Sequence, residues 1–84
     1  MSSKHRRTLV AVFAEPVRLN LLWSDIEAML KHYGAVVSNR AGSRVAVLLN
    51  GCVAVFHRPH PKKEAKRSTV RNVRAFLANA GVRP

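Results

Sequence analysis

The sequence predicts a single α+β domain of two layers, in which helices pack on one face of a three-stranded antiparallel sheet. Three observations lead to this fold class. The first half of the chain contains a capped amphipathic helix, two apolar runs joined by Asn50-Gly51 predict a hairpin, and a second amphipathic helix lies near the end. With a short helix at the start and one more strand, the predicted order is α-α-β-β-β-α.

The N-terminal segment, residues 1–22, is predicted to form a short helix and a connector. Residues 8–14 place apolar side chains on one side of a helix, namely Leu9, Val12 and Phe13. Pro16 ends this helix because proline has no backbone N–H to continue it. Residues 17–22 then lead into the main domain, which we expect to span residues 23–84.

The second predicted helix runs from Asp25 to Tyr33. Ser24 precedes it as the N-cap, and Glu27 three residues later completes a capping box, in which two side chains satisfy free backbone N–H groups. Gly34 is the C-terminal stop. The apolar stripe of this helix consists of Ile26, Met29, Leu30 and Tyr33.

Three strands are predicted next, at Ala35–Ser38, Arg44–Leu49 and Cys52–His57. Asn50-Gly51 is the strongest short hairpin signal, since both residues adopt the positive φ that a tight turn needs. Counting back from a two-residue turn places Arg44 directly opposite His57, with both side chains on one face of the sheet. A slip of one residue would separate them.

The predicted hairpin is apolar on both faces. One face consists of Val45, Val47, Leu49, Ala54 and Phe56, and the other of Ala46, Leu48, Val53 and Val55. Helices can cover only one of these faces. The other requires either the N-terminal segment or another protein chain as its cover.

The last helix is predicted to begin near Ser68 or Thr69, either of which can cap it, and to end at Gly81. Its apolar stripe consists of Val70, Val73, Phe76, Leu77 and Ala80. A neighbouring face carries Arg67, Arg71 and Arg74.

The charge balance points to a polyanionic partner. The chain has 15 Lys and Arg against 4 acids, a net charge of +11, and nucleic acid is the first class of partner to expect. The single cysteine excludes an intramolecular disulfide and four-cysteine metal sites. No membrane span is predicted. The apolar run after Lys4–Arg7 is too short for a signal peptide, so a cytoplasmic location is expected.

Most of the positive charge lies after His57. The predicted RNA-binding residues are Arg58, Lys62, Lys63, Lys66, Arg67, Arg71 and Arg74. Several flank the start of the last helix, and a helix N-terminus with adjacent cations is a natural phosphate site. The alternative interpretation is a solvated charged face without a ligand.

The segment His57-Arg58-Pro59-His60-Pro61 places two imidazoles beside a guanidinium group. This combination suits RNA cleavage by internal attack of a 2′-hydroxyl, because histidine transfers protons and arginine stabilises phosphorane charge. The alternative is structural, with one His ending a strand and the other bonded within a loop. A metal site on the two histidines is less favoured because the ligand set is incomplete, and no cofactor is expected.

Six short segments follow one another in a characteristic order: Leu22–Glu27, Gly34-Ala35, Gly42-Ser43, Phe56–Pro61, Thr69–Arg74 and Ala80-Gly81. With them, the sequence from about Trp23 to Val82 resembles the HicA family of toxins from type II toxin–antitoxin systems. The resemblance implies a fold like the double-stranded-RNA-binding domain. It also implies metal-independent, ribosome-independent cleavage of mRNA that arrests translation, and a HicB-like antitoxin that forms a hetero-oligomer and covers the active site.

The sequence departs from the family pattern at one position. The catalytic His of the family usually follows Gly-Ser at the start of the second strand, where this chain has Arg44. Arginine stays charged and cannot serve as a general base. The predicted catalytic residues are therefore His57 as acid or base, Arg44 as the electrostatic group, and His60, which matches the loop His of the family.

Two alternatives remain open from the sequence. One is a catalytically silent relative that binds RNA or an antitoxin without cutting RNA. The other is a basic DNA-binding protein, which would need a contact stripe on one helix. Only the face with Arg67, Arg71 and Arg74 offers such a stripe.

Overall fold

The fold is a three-stranded antiparallel sheet with helices on one face. The computed structural model describes residues 3–60 and 62–84, and the strands lie in the order β1-β2-β3. The elements in chain order are α1 (Lys4–Val12), α2 (Trp23–His32), β1 (Val36–Asn39), β2 (Arg44–Leu49), β3 (Cys52–His57) and α3 (Arg67–Asn79). The predicted α+β class and the order α-α-β-β-β-α are therefore confirmed.

The hairpin of β2 and β3 forms as predicted. Asn50 and Gly51 have φ values of 50° and 80°, the left-handed conformation that a two-residue hairpin turn requires. The register is the expected one, with Arg44 opposite His57 at the open end. The side-chain amide of Asn50 also donates a hydrogen bond to the carbonyl of Ala80 (2.9 Å), which fastens the turn to the C-terminal end of α3.

The core lies between one face of the sheet and the helices. The sheet contributes the buried side chains of Val45, Val47, Leu49 and Phe56. The helices contribute Leu9, Val12, Ile26, Met29, Leu30, Val70, Val73, Phe76 and Leu77. Phe56 packs edge-on against Phe76 and at a tilt against Trp23, with ring centroids 5.9 and 5.8 Å apart. These aromatic contacts join the end of β3 to α2 and α3.

The opposite face of the sheet is open. Its apolar side chains are strongly exposed: Val36 by 59%, Leu48 by 45%, Val53 by 66% and Val55 by 54%. The N-terminal segment does not cover this face, because α1 packs on α2 and α3 instead. Coverage by the N-terminal segment, one of the two possibilities from the sequence, is therefore wrong for the described residues, and coverage by another chain stays a prediction.

Both predicted helix caps are wrong. Helix α2 begins at Trp23, one residue before Ser24, and α3 begins at Arg67, before Ser68 and Thr69. Neither helix has a side-chain hydrogen bond at its N-cap. The proposed cap residues therefore lie within the first turns of the helices.

A short antiparallel bridge between Leu22 and Glu64 lies just before both helices. The backbone N–H of Trp23 donates to the carbonyl of Lys63 (3.0 Å), and the N–H of Ala65 donates to the carbonyl of Leu21 (2.7 Å). This connector bridge orients the chain as it enters both helices and satisfies the first N–H of α2. A side-chain cap is not needed for that group.

The starts of α1 and β1 also differ from the prediction. Helix α1 starts at Lys4, earlier than the predicted residue 8, because the Ser3 hydroxyl accepts a hydrogen bond from the N–H of Arg6 (3.1 Å) and caps it. Strand β1 starts one residue late, since the N–H of Ala35 donates to the carbonyl of Leu30 (2.9 Å) and belongs to the end of α2.

Arg74 fastens the N-terminal segment to α3. Its guanidinium donates to the carbonyls of Val12 (3.0 Å) and Ala14 (2.8 Å) and forms an ion pair with Glu15. The carbonyl of Val12 belongs to the last residue of α1 and that of Ala14 lies two residues beyond it, where backbone acceptors lack helical partners and favour a cation. Arg74 thus acts as a C-terminal cap contributed by another helix.

Glu27 links α2 to the segment that follows β3. Its carboxylate accepts hydrogen bonds from the indole N–H of Trp23 (2.9 Å) and from two guanidinium nitrogens of Arg58 (3.2 and 3.3 Å). The Nζ of Lys31 lies 3.6 Å from the Oε2 of Glu27. Partial burial by itself raises the pKa of Glu27, but the hydrogen bonds from Arg58 and Trp23 and the charges of Arg58 and Lys31 outweigh it and lower the pKa.

Glu27→Gln is expected to lower the free energy of unfolding by about 1–2 kcal/mol at pH 7, because the Arg58 hydrogen bonds lose their charged acceptor. Since the folded-state pKa is lowered, this stabilisation exists above the unfolded pKa of about 4.5 and disappears as pH falls through the folded value. Urea denaturation of both proteins between pH 7 and pH 3 measures the difference.

Asp25→Asn is the matched control, because the Asp25–Lys4 pair is more exposed and an exposed pair contributes little. A difference between wild type and Glu27→Gln that stays constant down to pH 3 would show that the carboxylate charge is not what stabilises the protein.

Candidate nucleic-acid interface

A basic cleft of about 710 Å³ lies where β3, the following loop and the first turns of α3 meet. Among its lining residues are both histidines and three cations of the predicted site: His57, Arg58, His60, Lys62 and Lys66. The structure thus brings these five together. Pro61, the last residue of the motif that holds the two histidines, lies outside the described residues.

The loop gets its position from contacts at both of its ends. At the first end, the backbone N–H of Arg58 donates to the carbonyl of Ser43 (2.8 Å), and its side chain is held by Glu27. At the other end, the connector bridge fixes Lys63 and Ala65. The imidazole of His60 therefore lies on a loop anchored on both sides.

Arg44 and His57 form a cross-strand pair beside the cleft. They are direct partners at the open end of the hairpin, and both are exposed on the open face of the sheet. The Nε of Arg44 donates to the carbonyl of Ala41 (3.3 Å), so part of the guanidinium stays available. Arg44 does not line the cleft itself, whereas its neighbour Ser43 does.

Two predicted RNA-binding arginines have protein partners. Arg58 is bound by Glu27, and Arg74 by Glu15 and two carbonyls of the N-terminal segment. Their contact with RNA stays a prediction, but both guanidinium groups already have structural roles. Sequence reasoning missed this because the partners are distant along the chain.

The other predicted cations are exposed and carry no ion pair among the described residues. These are Lys62, Lys63, Lys66, Arg67 and Arg71. Lys62 and Lys66 line the cleft, while the other three lie next to it along the loop and α3. Glu64 is the acid that lines the cleft, and it does not neutralise any of them through a close pair. The cleft therefore has a positive field.

The cleft also contains polar residues that the sequence interpretation did not assign to the site. They are Ser43, Ser68, Thr69 and Asn72. Thr69 and Asn72 are three residues apart and share a face of α3. The sequence pattern predicts only a capping role, for Ser68 or Thr69. The i, i+3 spacing within one helix is the sequence signal that could have assigned Thr69 and Asn72 to the same site.

The described residues contain no group of three or more His, Cys, Asp and Glu that could hold a metal ion. Nor does any helix in the described ranges have the length and apolar character needed to cross a membrane.

Comparison with known proteins identifies the family. The model of the HicA toxin of bacterial toxin–antitoxin systems matches residues 23–82, more than half of the chain. No curated protein and no solved structure matches it significantly. The matched region begins with α2 and ends after α3, so it includes the whole sheet and the cleft, whereas α1 precedes it. The chain therefore belongs to the HicA toxin family.

Proposed function

We propose that this protein is a toxin that binds and cleaves mRNA, and thereby arrests translation. The observation that carries the proposal is the pairing of Arg44 with His57 at the edge of a basic cleft that also contains His60. The pair supplies a proton-transfer group and a fixed positive charge side by side. Membership of the HicA family supports the same function.

The proposal of RNA binding rests on the positive electrostatic field and the shape of the cleft. Lys62 and Lys66 line it, and the exposed cations of the loop and α3 surround it. Such cations bind phosphates through charge, with little dependence on base sequence. The hydroxyl and amide groups of Thr69 and Asn72 add donors and acceptors for ribose or phosphate oxygens.

The proposed reaction needs only these side chains. His57 accepts the proton of a ribose 2′-hydroxyl as its oxygen attacks the adjacent phosphorus, and the bond from phosphorus to the 5′-oxygen breaks. His60 donates a proton to the departing 5′-oxygen. Arg44 stabilises the negative charge of the phosphorane. The products are a 2′,3′-cyclic phosphate and a free 5′-hydroxyl.

Arginine at position 44 changes the division of roles within this family. Arg44 keeps its charge at neutral pH and cannot accept the proton. His57 is the direct cross-strand partner of Arg44 on β3, so its imidazole lies on the same face of the sheet as the Arg44 side chain. We therefore assign the proton transfer to β3 and the electrostatic role to β2.

A HicB-like antitoxin is the proposed protein partner. The open face presents four exposed apolar side chains, Val36, Leu48, Val53 and Val55, and continues directly to the Arg44–His57 pair. A partner seated on this face would cover the catalytic pair. The net charge of +11 favours an acidic partner. Since mRNA is the proposed substrate, the proposed location is the cytoplasm.

The alternative is an RNA-binding relative without catalytic activity, and Arg44 at the position of the family His is the observation that favours it. DNA binding through the arginine stripe of α3 has less support. Arg74, one of its three members, is turned toward α1 and Glu15.

His57→Ala is expected to lower the rate of RNA cleavage by about 10²–10⁴-fold, because a positioned acid–base group contributes that much, and to abolish growth arrest on expression. Cleavage of a defined mRNA by the purified protein is the measurement. His32→Ala is the control, since His32 lies on α2 outside the cleft. Wild-type protein that binds RNA but leaves it intact would favour the silent alternative.

Substitutions of Arg44 test its electrostatic role. Arg44→Gln is expected to lower the single-turnover cleavage rate by about 10²–10³-fold, as the loss of one transition-state donor does. Arg44→His places an imidazole where the family has its catalytic His, and it is expected to raise the rate above that of wild type. If both variants cleave as wild type does, Arg44 has no part in the reaction.

Val53→Asp is expected to weaken antitoxin binding at least about tenfold, because it places a charge within the apolar contact. Val53 is 66% exposed, so the fold should be retained. Calorimetry with a HicB-like protein measures the effect. Leu19→Asp is the control, since Leu19 is 58% exposed but lies before α2. Equal affinities of both variants would show that the antitoxin binds elsewhere.

A further inference from the structure

A second basic cluster lies outside the region that matches the family model. Arg6, Arg7 and Arg18 line one concavity of about 370 Å³ together with Val10 and Ala11. The first two arginines come from α1 and the third from the connector that follows it. Two separate segments of the chain thus contribute three arginines to the lining of one depression.

No carboxylate neutralises this cluster. All four acidic side chains of the protein are described, and three of them pair with other cations: Glu15 with Arg74, Asp25 with Lys4, and Glu27 with Arg58 and Lys31. Glu64 lines the cleft. Like charges held near one another repel, and an anionic ligand would remove that repulsion.

The cluster has a fixed position relative to the cleft. Arg74 holds the C-terminal end of α1 against α3. The segment between α1 and α2 carries Arg18 and continues to Leu21. There the carbonyl of Leu21 accepts a hydrogen bond from the N–H of Ala65, in the loop between β3 and α3. The segment that carries Arg18 is therefore fastened to the loop of the cleft by a backbone hydrogen bond three residues further along the chain.

The surroundings of the cluster indicate whether a nucleic acid or an anionic membrane would bind it. The apolar side of α1 is unavailable to lipid, since Leu9 and Val12 are 1% and 0% exposed in the core. An amphipathic membrane helix needs that side free. Guanidinium groups bind phosphate oxygens in pairs and stack on bases, and Val10, 46% exposed, supplies an apolar contact beside them. These features fit a nucleotide chain better than a bilayer.

We propose that Arg6, Arg7 and Arg18 form a second phosphate-binding site for RNA, occupied by the part of the strand that extends beyond the cleft. This proposal rests on the proposed RNA-binding function of the cleft. It assigns the N-terminal segment a role in substrate affinity, and it makes the affinity depend on RNA length.

The test uses the full chain with 2′-O-methyl RNA, in which internal attack is blocked, in two lengths of about 4 and about 16 nucleotides, the range that small single-strand-binding domains occupy. Fluorescence anisotropy compares the double variant Arg7→Gln/Arg18→Gln with the control Arg40→Gln/Arg83→Gln. The control removes the same charge from exposed positions outside the concavity. Circular dichroism verifies that both variants are folded.

With the longer RNA, the Arg7/Arg18 variant is expected to bind at least about tenfold more weakly than the control, the effect of losing one charge-assisted hydrogen bond or more. The slope of log K against log salt should fall by about 1.4, since each lost phosphate contact of a single strand removes about 0.7. With the shorter RNA, the two variants should bind equally.

Equal affinities and equal salt slopes for the longer RNA, with wild-type binding intact, would overturn this inference and leave the proposed function standing. Absence of RNA binding by the wild type would overturn both. Binding of polyglutamate that is lost only in the Arg7/Arg18 variant, with RNA affinity unchanged, would assign the cluster to an acidic protein segment instead.

Discussion

The register of the β2–β3 hairpin is the constraint on which the rest of the structure depends. The Asn50-Gly51 turn sets this register. Because side chains alternate along a strand, the register determines which side chains lie on each face of the sheet. One face receives the residues that bury against the helices. The other receives the Arg44–His57 pair together with the exposed valines. A shift of one residue would bury charge and expose the core.

The helical layer depends on a different kind of interaction, in which polar groups join segments far apart in sequence. The connector bridge lies immediately before α2 and α3 and satisfies the first N–H of α2. Arg74 caps α1 from α3, and Glu27 holds Arg58 at the start of the loop between β3 and α3. The small number of acids is significant here, because three of the four are used in fixing cations within the fold. The remaining cations have no ion-pair partner among the described residues.

Much of the site was predictable because it is local. The two histidines and Lys62 and Lys66 lie within ten residues of sequence, and the structure places them around one cleft. The cross-strand pair followed from counting across a turn of known length. The structural roles of Arg58 and Arg74 were not predictable in this way. Their charge indicated ligand binding, but their partners Glu27 and Glu15 are far away in the sequence. Thr69 and Asn72 are uncharged and gave no comparable signal, and the sequence pattern predicted Thr69 as a possible helix cap.

The sequence by itself determined the fold class, the hairpin register and the positive charge, because periodicity, turn chemistry and composition are local properties. The predicted capping box of α2 was wrong for the same reason, since local patterns do not reveal that a distant carbonyl satisfies the N–H of Trp23. Only the tertiary structure decided which cations are free, which face of the sheet stays open, and that α1 packs on helices. Those outcomes depend on contacts between residues remote in sequence, where packing and pairing compete over the whole chain.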